Sequence, residues 1–264
     1  MAIRVVVSGT GNMGRQVLAA VEREADLEPT GVLEKFSTDK ELALPDGGGV
    51  VPMGNDPGPL LDLAHPDVVI DFTNAAWTPL VVDAALERGI RLVIGSTGLS
   101  DAWLDELEAR CRERKVGAVV APNFAIGAVL MMHFAKIAGR FFDAAEIIEL
   151  HHDRKVDAPS GTALLTAREM AAARGSSFER NVPETETVSG ARAAEVGGIT
   201  IHSVRLPGLV AHQEVIFGGL GQTLSIRHDT TGRESFMPGV LLATREVLQR
   251  SELVRGLGAL VGLA

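Results

Sequence analysis

Tyrosine is absent from the chain and cysteine occurs once, at Cys111. The first absence excludes a phenolic proton donor of the kind short-chain dehydrogenases use. The second excludes an intramolecular disulfide, as expected of a protein in a reducing cytosol, and argues against a cysteine-ligated zinc centre like that of zinc alcohol dehydrogenases. Long hydrophobic runs are missing as well. The apolar segment 253–264, LVRGLGALVGLA, falls short of the roughly 20 residues that span a bilayer and reads as a packed or frayed end. The N-terminus runs into a glycine turn without the apolar core or cleavage pattern of an export signal, so the expected location is cytoplasmic. Broad positive charge is also lacking. With 34 Asp and Glu against 25 Lys and Arg, a formal net charge of −9 offers no general surface for nucleic acid or an anionic membrane.

What is present is an ample core: 46% hydrophobic residues in 264, enough for one large domain or two modest ones. Ile3 to Ser8, IRVVVS, is a β-branched run suited to a strand buried on both faces of a parallel sheet. Gly9-Thr10-Gly11-Asn12-Met13-Gly14 follows at once and opens a helical pattern in which Val17, Leu18 and Val21 share a face. In this strand-to-helix context G-x-G-x-x-G has a geometric purpose. The first glycine makes the tight turn, the second lets a pyrophosphate approach the backbone, and the third lets helix and strand pack closely. A second strand, TGVLE, ends at Glu34, about 20 residues beyond the last glycine, where the dinucleotide fold places an acid on the ribose hydroxyls. Lys35 would suit a 2′-phosphate and Glu34 a free 2′-hydroxyl, so the pair leaves both NADH and NADPH open.

Phe36 to Pro59 reads mainly as connection. Strands then recur at 67–73, 91–98 and 116–124. The helices between them cover 81–89, ended by Gly89, and 101–114, with Ser100 as N-cap and Cys111 as a packing residue. Gly95-Ser96-Thr97-Gly98 and Ala121-Pro122-Asn123-Phe124 would lie at carboxyl ends of strands, the edge where open α/β sheets bind ligands, and are candidate cofactor contacts. These features predict a Rossmann-like dinucleotide-binding domain over 1–125.

The second half differs in character. A hydrophobic helix over 125–142, with His133 as a packing or boundary residue, leads to a strand at 145–150 and then to Glu149–Ala163, ELHHDRKVDAPSGTA. His151 to Lys155 bring two imidazoles, a guanidinium and an ammonium together in an acidic protein, interrupted only by Asp153. Ser160-Gly161-Thr162 opens the next helix, where unpaired backbone N–H groups and the dipole favour an anion. A strand continuing through His152 would point the two histidines to opposite faces, whereas one ending at His151 lets both reach one pocket. The helix runs to Gly175, and Ser176 to Gly197 reads as a mobile surface loop. Three antiparallel strands, in GGITIHSVRLPG, LVAHQEVIFGG and GQTLSIRHD, complete a second α+β domain with a mostly antiparallel sheet over 126–230. His202, His212 and His228 fall on separate strands without compact ligand spacing, so no metal site is expected. FMPGVLLATREVLQR predicts a helix that returns, within 231–264, to the first domain.

His151 to Ala163 has the form H-H-x-x-K-x-D-A-P-S-G-T-A and resembles the signature of the dihydrodipicolinate reductase family, which acts in the diaminopimelate route to lysine. The likeness extends to the glycine turn, Asp71-Phe72-Thr73, Gly95 to Gly98, Ala121 to Phe124 and the segment around Arg233, and so covers nearly the whole chain. It implies reduction of 4-hydroxy-tetrahydrodipicolinate, with loss of water, by NADH or NADPH. In that reading His151 donates or accepts the proton, His152 contacts the dicarboxylate substrate, and Lys155 donates a proton and meets a carboxylate. Gly161 and Thr162 bind a carboxylate at the helix start. Gly9 to Gly14, Glu34, Gly95 to Thr97, Ala121 to Phe124 and, more distantly, Arg233 hold the cofactor. A homotetramer built through the antiparallel sheets and hinges near Asn123–Gly127 and Thr230–Arg233 are further expectations. The glycine turn is one residue shorter than the family's frequent G-x-G-G-R-M-G and lacks its arginine, and Ser96 stands where threonine is frequent. The alternatives are another nicotinamide-dependent amino-acid or amine dehydrogenase, which the HHxxK and SGT pairing disfavours, and a non-catalytic NAD(P)H sensor, which His151 and Lys155 disfavour.

Overall fold

The computed structural model describes residues 1–180, 182, 183 and 185–263. By its internal contacts the chain forms two compact units, Met1–Ile126 with Arg233–Ala264, and Gly127–Gly232. In chain order, β1 (Ile3–Ser8), α1 (Asn12–Arg23), β2 (Leu27–Leu33), β3 (Glu41–Ala43), β4 (Val50–Gly54), α2 (Pro57–Ala64), β5 (Val68–Asp71), α3 (Thr78–Glu87), β6 (Arg91–Ile94), α4 (Asp101–Arg114) and β7 (Ala118–Val120) open the first unit. Then come α5 (Ile126–Ala138), β8 (Ala144–His151), α6 (Gly161–Arg174), β9 (Ala194–Val196), β10 (Ile199–Arg205), β11 (Ala211–Gly219) and β12 (Gln222–Thr230). The last elements, α7 (Met237–Glu246) and β13 (Leu253–Arg255), belong to the first unit again.

The first unit is an eight-stranded sheet of order β13-β7-β6-β5-β1-β2-β4-β3, parallel throughout except where β3 meets β4. Its central strands are buried on both faces, as Val5–Val7, Val68–Ile70 and Leu92–Ile94 show, which is why they read as unbroken apolar runs. Trp77, Val81, Val82 and Leu86 at α3 and Leu107 on α4 pack over Leu33, Val69, Leu92 and Ile94. Cys111 is fully buried in that cluster, and burial pushes its thiol up to about 11, so it is a packing residue. Ser100 caps α4, its hydroxyl accepting from the Trp103 N–H at 3.2 Å. From β1 the strand order proceeds outward to β2 on one side and β5 on the other, so the glycine turn lies at a topological switch point.

Several sequence expectations need correction here. The stretch 36–59 is more than connection: β4 extends the sheet beside β2, β3 closes its edge, and α2 begins at Pro57. Strands of three to five residues, one of them carrying Pro52, leave too little periodicity to read. Of the segment expected to be packed or frayed, the start is packed, where β13 pairs in parallel with β7. Strand boundaries also move, with β2 starting at Leu27 and β7 confined to Ala118–Val120.

The second unit is a five-stranded sheet of order β12-β11-β8-β10-β9. Pairing is antiparallel except between β8 and β10, which run parallel. The three late strands are therefore not consecutive neighbours: β8 separates β10 from β11. On its other edge β10 pairs with β9 through Gly197-Gly198, a two-residue turn with both residues at positive φ (62° and 79°), and β9 lies inside the stretch expected to be loop. Within that stretch, Asn181 and Glu184 lie outside the described residues. One face of the sheet packs Ala145, Ile147, Ile199, Ile201, Val215 and Phe217 against small residues of α5 and α6. Among the described residues no helix is long and apolar enough to cross a membrane.

Candidate active site

Two sets of side chains sit at element ends, one in each unit. In the first unit the three glycines differ as their geometry requires. Gly9 has φ +101°; a Cβ on Gly14 would lie 1.8 Å from the Gly9 carbonyl oxygen; a Cβ on Gly11 would meet nothing within 4 Å. Gly14 is thus closed by packing and Gly11 faces open space. Among the described residues no side chain caps α1 at Gly11, so its first-turn N–H groups have no capping acceptor there. Arg15, overlooked in the sequence, donates from Nε to the Thr10 carbonyl at 2.9 Å and brings a guanidinium to the turn.

Glu34 follows the end of β2. One carboxylate oxygen accepts from Thr10 N (2.9 Å) and Thr10 Oγ1 (2.6 Å), and the other from Phe36 N (3.4 Å). Partial burial pushes this carboxyl up, but the hydroxyl and two backbone donors together hold it below the ordinary range. The Lys35 ammonium lies 5.4 Å from the Phe36 ring centroid and 5.7 Å from that of Trp77. At the end of β5, Asp71 is fully buried and accepts from the hydroxyls of Thr73 (2.7 Å), Thr78 (2.6 Å) and Ser96 (2.8 Å). The Ser96 side chain is therefore committed to the interior, whereas Thr97 is exposed. A Cβ on Gly95 would come within 2.1 Å of the Phe72 ring, which packs against Phe124 with centroids 5.3 Å apart. Met13, Phe72, Gly95, Pro122, Asn123, Phe124 and Phe236 line a cleft of about 170 Å³. Ala121 is buried beneath it, and Asn123 Oδ1 accepts from Ala125 N at 2.9 Å. Arg233 begins the 3-10 turn that carries Phe236, but is exposed and outside this lining.

In the second unit β8 ends at His151, the arrangement in which the two histidines are not forced to opposite faces. The His151 Nδ1 lies 2.5 Å from Glu149 Oε2. Glu149 is fully buried and also accepts from Ser160 N (3.1 Å) and, in a bidentate pair, from Arg205 Nη1 (2.9 Å) and Nη2 (2.8 Å). Burial pushes the Glu149 carboxyl up, yet hydrogen bonds from His151, Arg205 and Ser203 outweigh it and hold the group at about 2. Ser160 caps α6 by accepting from Ala163 N at 3.2 Å, and Leu164 N bonds the Ser160 carbonyl. The N–H groups of Gly161 and Thr162 have no acceptor among the described residues, and the space over Gly161 is open. Lys155 Nζ donates to both oxygens of Asp157 (2.7 and 2.9 Å), which lowers the Asp157 carboxyl. His152 Nδ1 is buried without a partner among the described residues. This set offers a proton carrier, an ammonium and two outward N–H groups along one short stretch of chain.

Glu149 and Arg205 escape a reading of the sequence alone. The available signal is a lone acid two residues before His151; nothing local marks Arg205. The other histidines make separate contacts: His202 with Glu146 (2.8 Å), His212 with Asp229 (2.6 Å), His133 edge-on to Phe134, and His228 under Gly127. Among the described residues no group of three or more His, Cys, Asp or Glu side chains is placed to hold a metal.

Residues 3–124 match the family model described as dihydrodipicolinate reductase, N-terminus, and residues 127–260 that described as its C-terminus. A 4-hydroxy-tetrahydrodipicolinate reductase from Moorella thermoacetica is 50% identical over 260 residues, covering 97% of this chain and 96% of the relative. One from Dehalococcoides mccartyi is 47% identical over 262 residues, 99% of each. Among solved structures, dipicolinate-bound dihydrodipicolinate reductase from Paenisporosarcina sp. TG-14 superimposes with TM-score 0.88 at 42% identity, covering 98% and 99% of the two chains. An amine dehydrogenase from Mycobacterium smegmatis, at 15% identity, TM-score 0.63 and 94% and 93% coverage, shares the fold.

Proposed function

The chain belongs to the dihydrodipicolinate reductase family, and from that premise we propose that it converts 4-hydroxy-tetrahydrodipicolinate, NAD(P)H and a proton into tetrahydrodipicolinate, NAD(P)+ and water, in the diaminopimelate route to lysine. The observation that carries this reading beyond family membership is the single stretch His151–Thr162, where an imidazole fixed at Nδ1 stands in the same unit as a helix start with two free N–H groups.

The cofactor, when bound, supplies the hydride. Gly11 and the uncapped start of α1 receive the pyrophosphate, with Gly9, Thr10, Asn12, Met13 and Gly14 forming the turn and Arg15 adding positive charge. The fixed, ionised Glu34 accepts from ribose hydroxyls, and Lys35 lies beside it for a 2′-phosphate. Gly95, Thr97, Pro122, Asn123 and Phe124 border the ring, with Ser96, Ala121 and Arg233 in support.

On the substrate side, Gly161 and Thr162 bind one carboxylate of the dicarboxylate through their N–H groups, and His152, with its unpartnered Nδ1, contacts the substrate. Lys155, drawn from its pairing with Asp157, meets a carboxylate and donates a proton. His151 moves a proton through Nε2, the nitrogen that Glu149 leaves free.

The test supplies the condensation product of pyruvate and aspartate semialdehyde and follows NAD(P)H absorbance. Consumption of either cofactor with stoichiometric product is expected, and none by a protein that binds cofactor would refute the reading. Lys155→Ala should lose turnover by roughly 10²–10⁴ while cofactor affinity holds; parallel loss of both would remove Lys155 from the substrate site. We further propose a cytoplasmic homotetramer. The sheet face bearing Glu146, Ile148, His202, Glu214 and Ile216, opposite the α5 and α6 side, supports it, and a light-scattering mass of one chain would refute it.

A further inference from the structure

The proton carrier and the anion cradle share one buried anchor, and that anchor is itself paired. Glu149 lies two residues before His151 on β8 and reaches the ring, the Ser160 N–H before the cradle, and the Arg205 guanidinium. Arg205 on β10 is in register with His151 and also donates to the carbonyls of Asp157 (2.7 Å) and Val204 (2.8 Å). We propose that Glu149 and Arg205 act as a charge-balanced positioning pair. Glu149 fixes His151 as the Nδ1–H tautomer, and Arg205 offsets its charge so that Nε2 is left to exchange a proton with the substrate. This pairing rests on the function proposed above.

What each group accepts and donates fixes the tautomer. A carboxylate held at about 2 is ionised at working pH and is an acceptor only, so the neutral ring facing it must carry its hydrogen on Nδ1. A lone buried carboxylate would also bind the imidazolium strongly and hold the Nε2 proton too tightly to deliver. The bidentate guanidinium counters that field without disturbing the Nδ1 contact, because its two nitrogens leave room on Oε2 for the ring. In the loop after His152, Asp153 and Arg154 carry opposite charges and are exposed. The Lys155–Asp157 pair in the following loop is internally balanced. β11 places Ala211 opposite His151, and β12 places Thr230 beyond it. His152 follows in the chain, and His228 lies in the next row with Gln213 and Glu149.

The test measures kcat against pH for the full chain, for Glu149→Gln and for Arg205→Met. Removing the anion should move the limb on which the proton donor is lost to lower pH, and removing the cation should move it to higher pH, each by about one unit or more. KM for the cofactor should stay within about twofold, since the pair lies outside the cofactor unit. Shifts in the same direction, or none, would overturn the pair, because a purely structural role gives no opposite signs. Should either variant fail to fold, ¹⁵N spectra of His151 in the unaltered protein decide. Nδ1–H in the neutral ring is expected, and the Nε2–H tautomer overturns the proposal. Absence of turnover by the unaltered protein would sink the proposed function, whereas turnover with coincident pH limbs would sink only the positioning pair.

Discussion

Glu149 ties a residue's charge to the stability of its unit, and the direction can be worked out from its carboxyl. Held at about 2 against an ordinary 4.5, it contributes stability that is fully present above pH 4.5 and is lost as the pH falls toward 2. A shift of that size corresponds to roughly 3 kcal/mol. Urea unfolding at pH values of about 6, 4, 3 and 2, which bracket that window, should show the unaltered chain losing roughly that much more than Glu149→Gln. Equal losses would mean that Glu149 is not held ionised. The contrast between this residue and its neighbours explains how far the site is legible in the sequence. His151, Lys155, Gly161 and Thr162 stand in one stretch whose chemistry is visible in chain order. Glu149 looks like an ordinary strand residue until Arg205, 56 positions away, is placed beside it by the parallel pairing of β8 with β10. Ser96 is legible as part of a turn, but its hydroxyl direction depends on Asp71, 25 positions away.

At the scale of elements, the strand-to-helix turn between β1 and α1 separates packing from ligand approach. Gly14→Ala forces a Cβ to 1.8 Å from a backbone oxygen that cannot move without opening the turn, so it should lower thermal stability by several degrees and abolish cofactor binding together. Gly11→Ala meets nothing in the protein and should melt within about a degree of the parent. It should still weaken NADH binding, by roughly tenfold or more, because the methyl occupies the space proposed above for the pyrophosphate. Fluorescence titration with parallel melts would check both, and unchanged affinity in Gly11→Ala would remove the pyrophosphate from that turn. The elements that can be read from sequence are those with a strong signal of their own. Two-sided burial makes β1, β5 and β6 continuous apolar runs, and the Ser100 hydroxyl marks the start of α4. The strands missed, β3, β4, β9 and β13, are three to five residues long and exist by virtue of their neighbours. The order of β10 and β11 misleads because adjacency in sequence is not adjacency in this sheet. Gly197-Gly198, the signal for a β9–β10 hairpin, lies at the end of a stretch that reads as loop, and β9 lies within it.

The whole molecule carries a net charge of −9, yet its two candidate sites present cations and outward N–H groups to anionic ligands. Bound anions supply acceptors to those N–H groups and charge to those cations, so each ligand should stabilise the unit that holds its site. A ligand at about 100 times its Kd stabilises the binding form by roughly 2.7 kcal/mol, which slows opening of the segments it orders. Hydrogen exchange read by mass spectrometry gives a map of where this occurs. NADH should protect 9–14, 34–36 and 121–124 in the first unit. Dipicolinate, which the Paenisporosarcina reductase binds, should protect 151–163 in the second. Each effect should appear with its ligand alone, because the space over Gly11 is open and the Gly161 and Thr162 N–H groups have no acceptor among the described residues. Protection of 9–14 by the dicarboxylate, with 151–163 unchanged, would reverse the assignment of the two sites. Protection of neither segment by either ligand would leave the glycine turn and the capped start of α6 as packing features only.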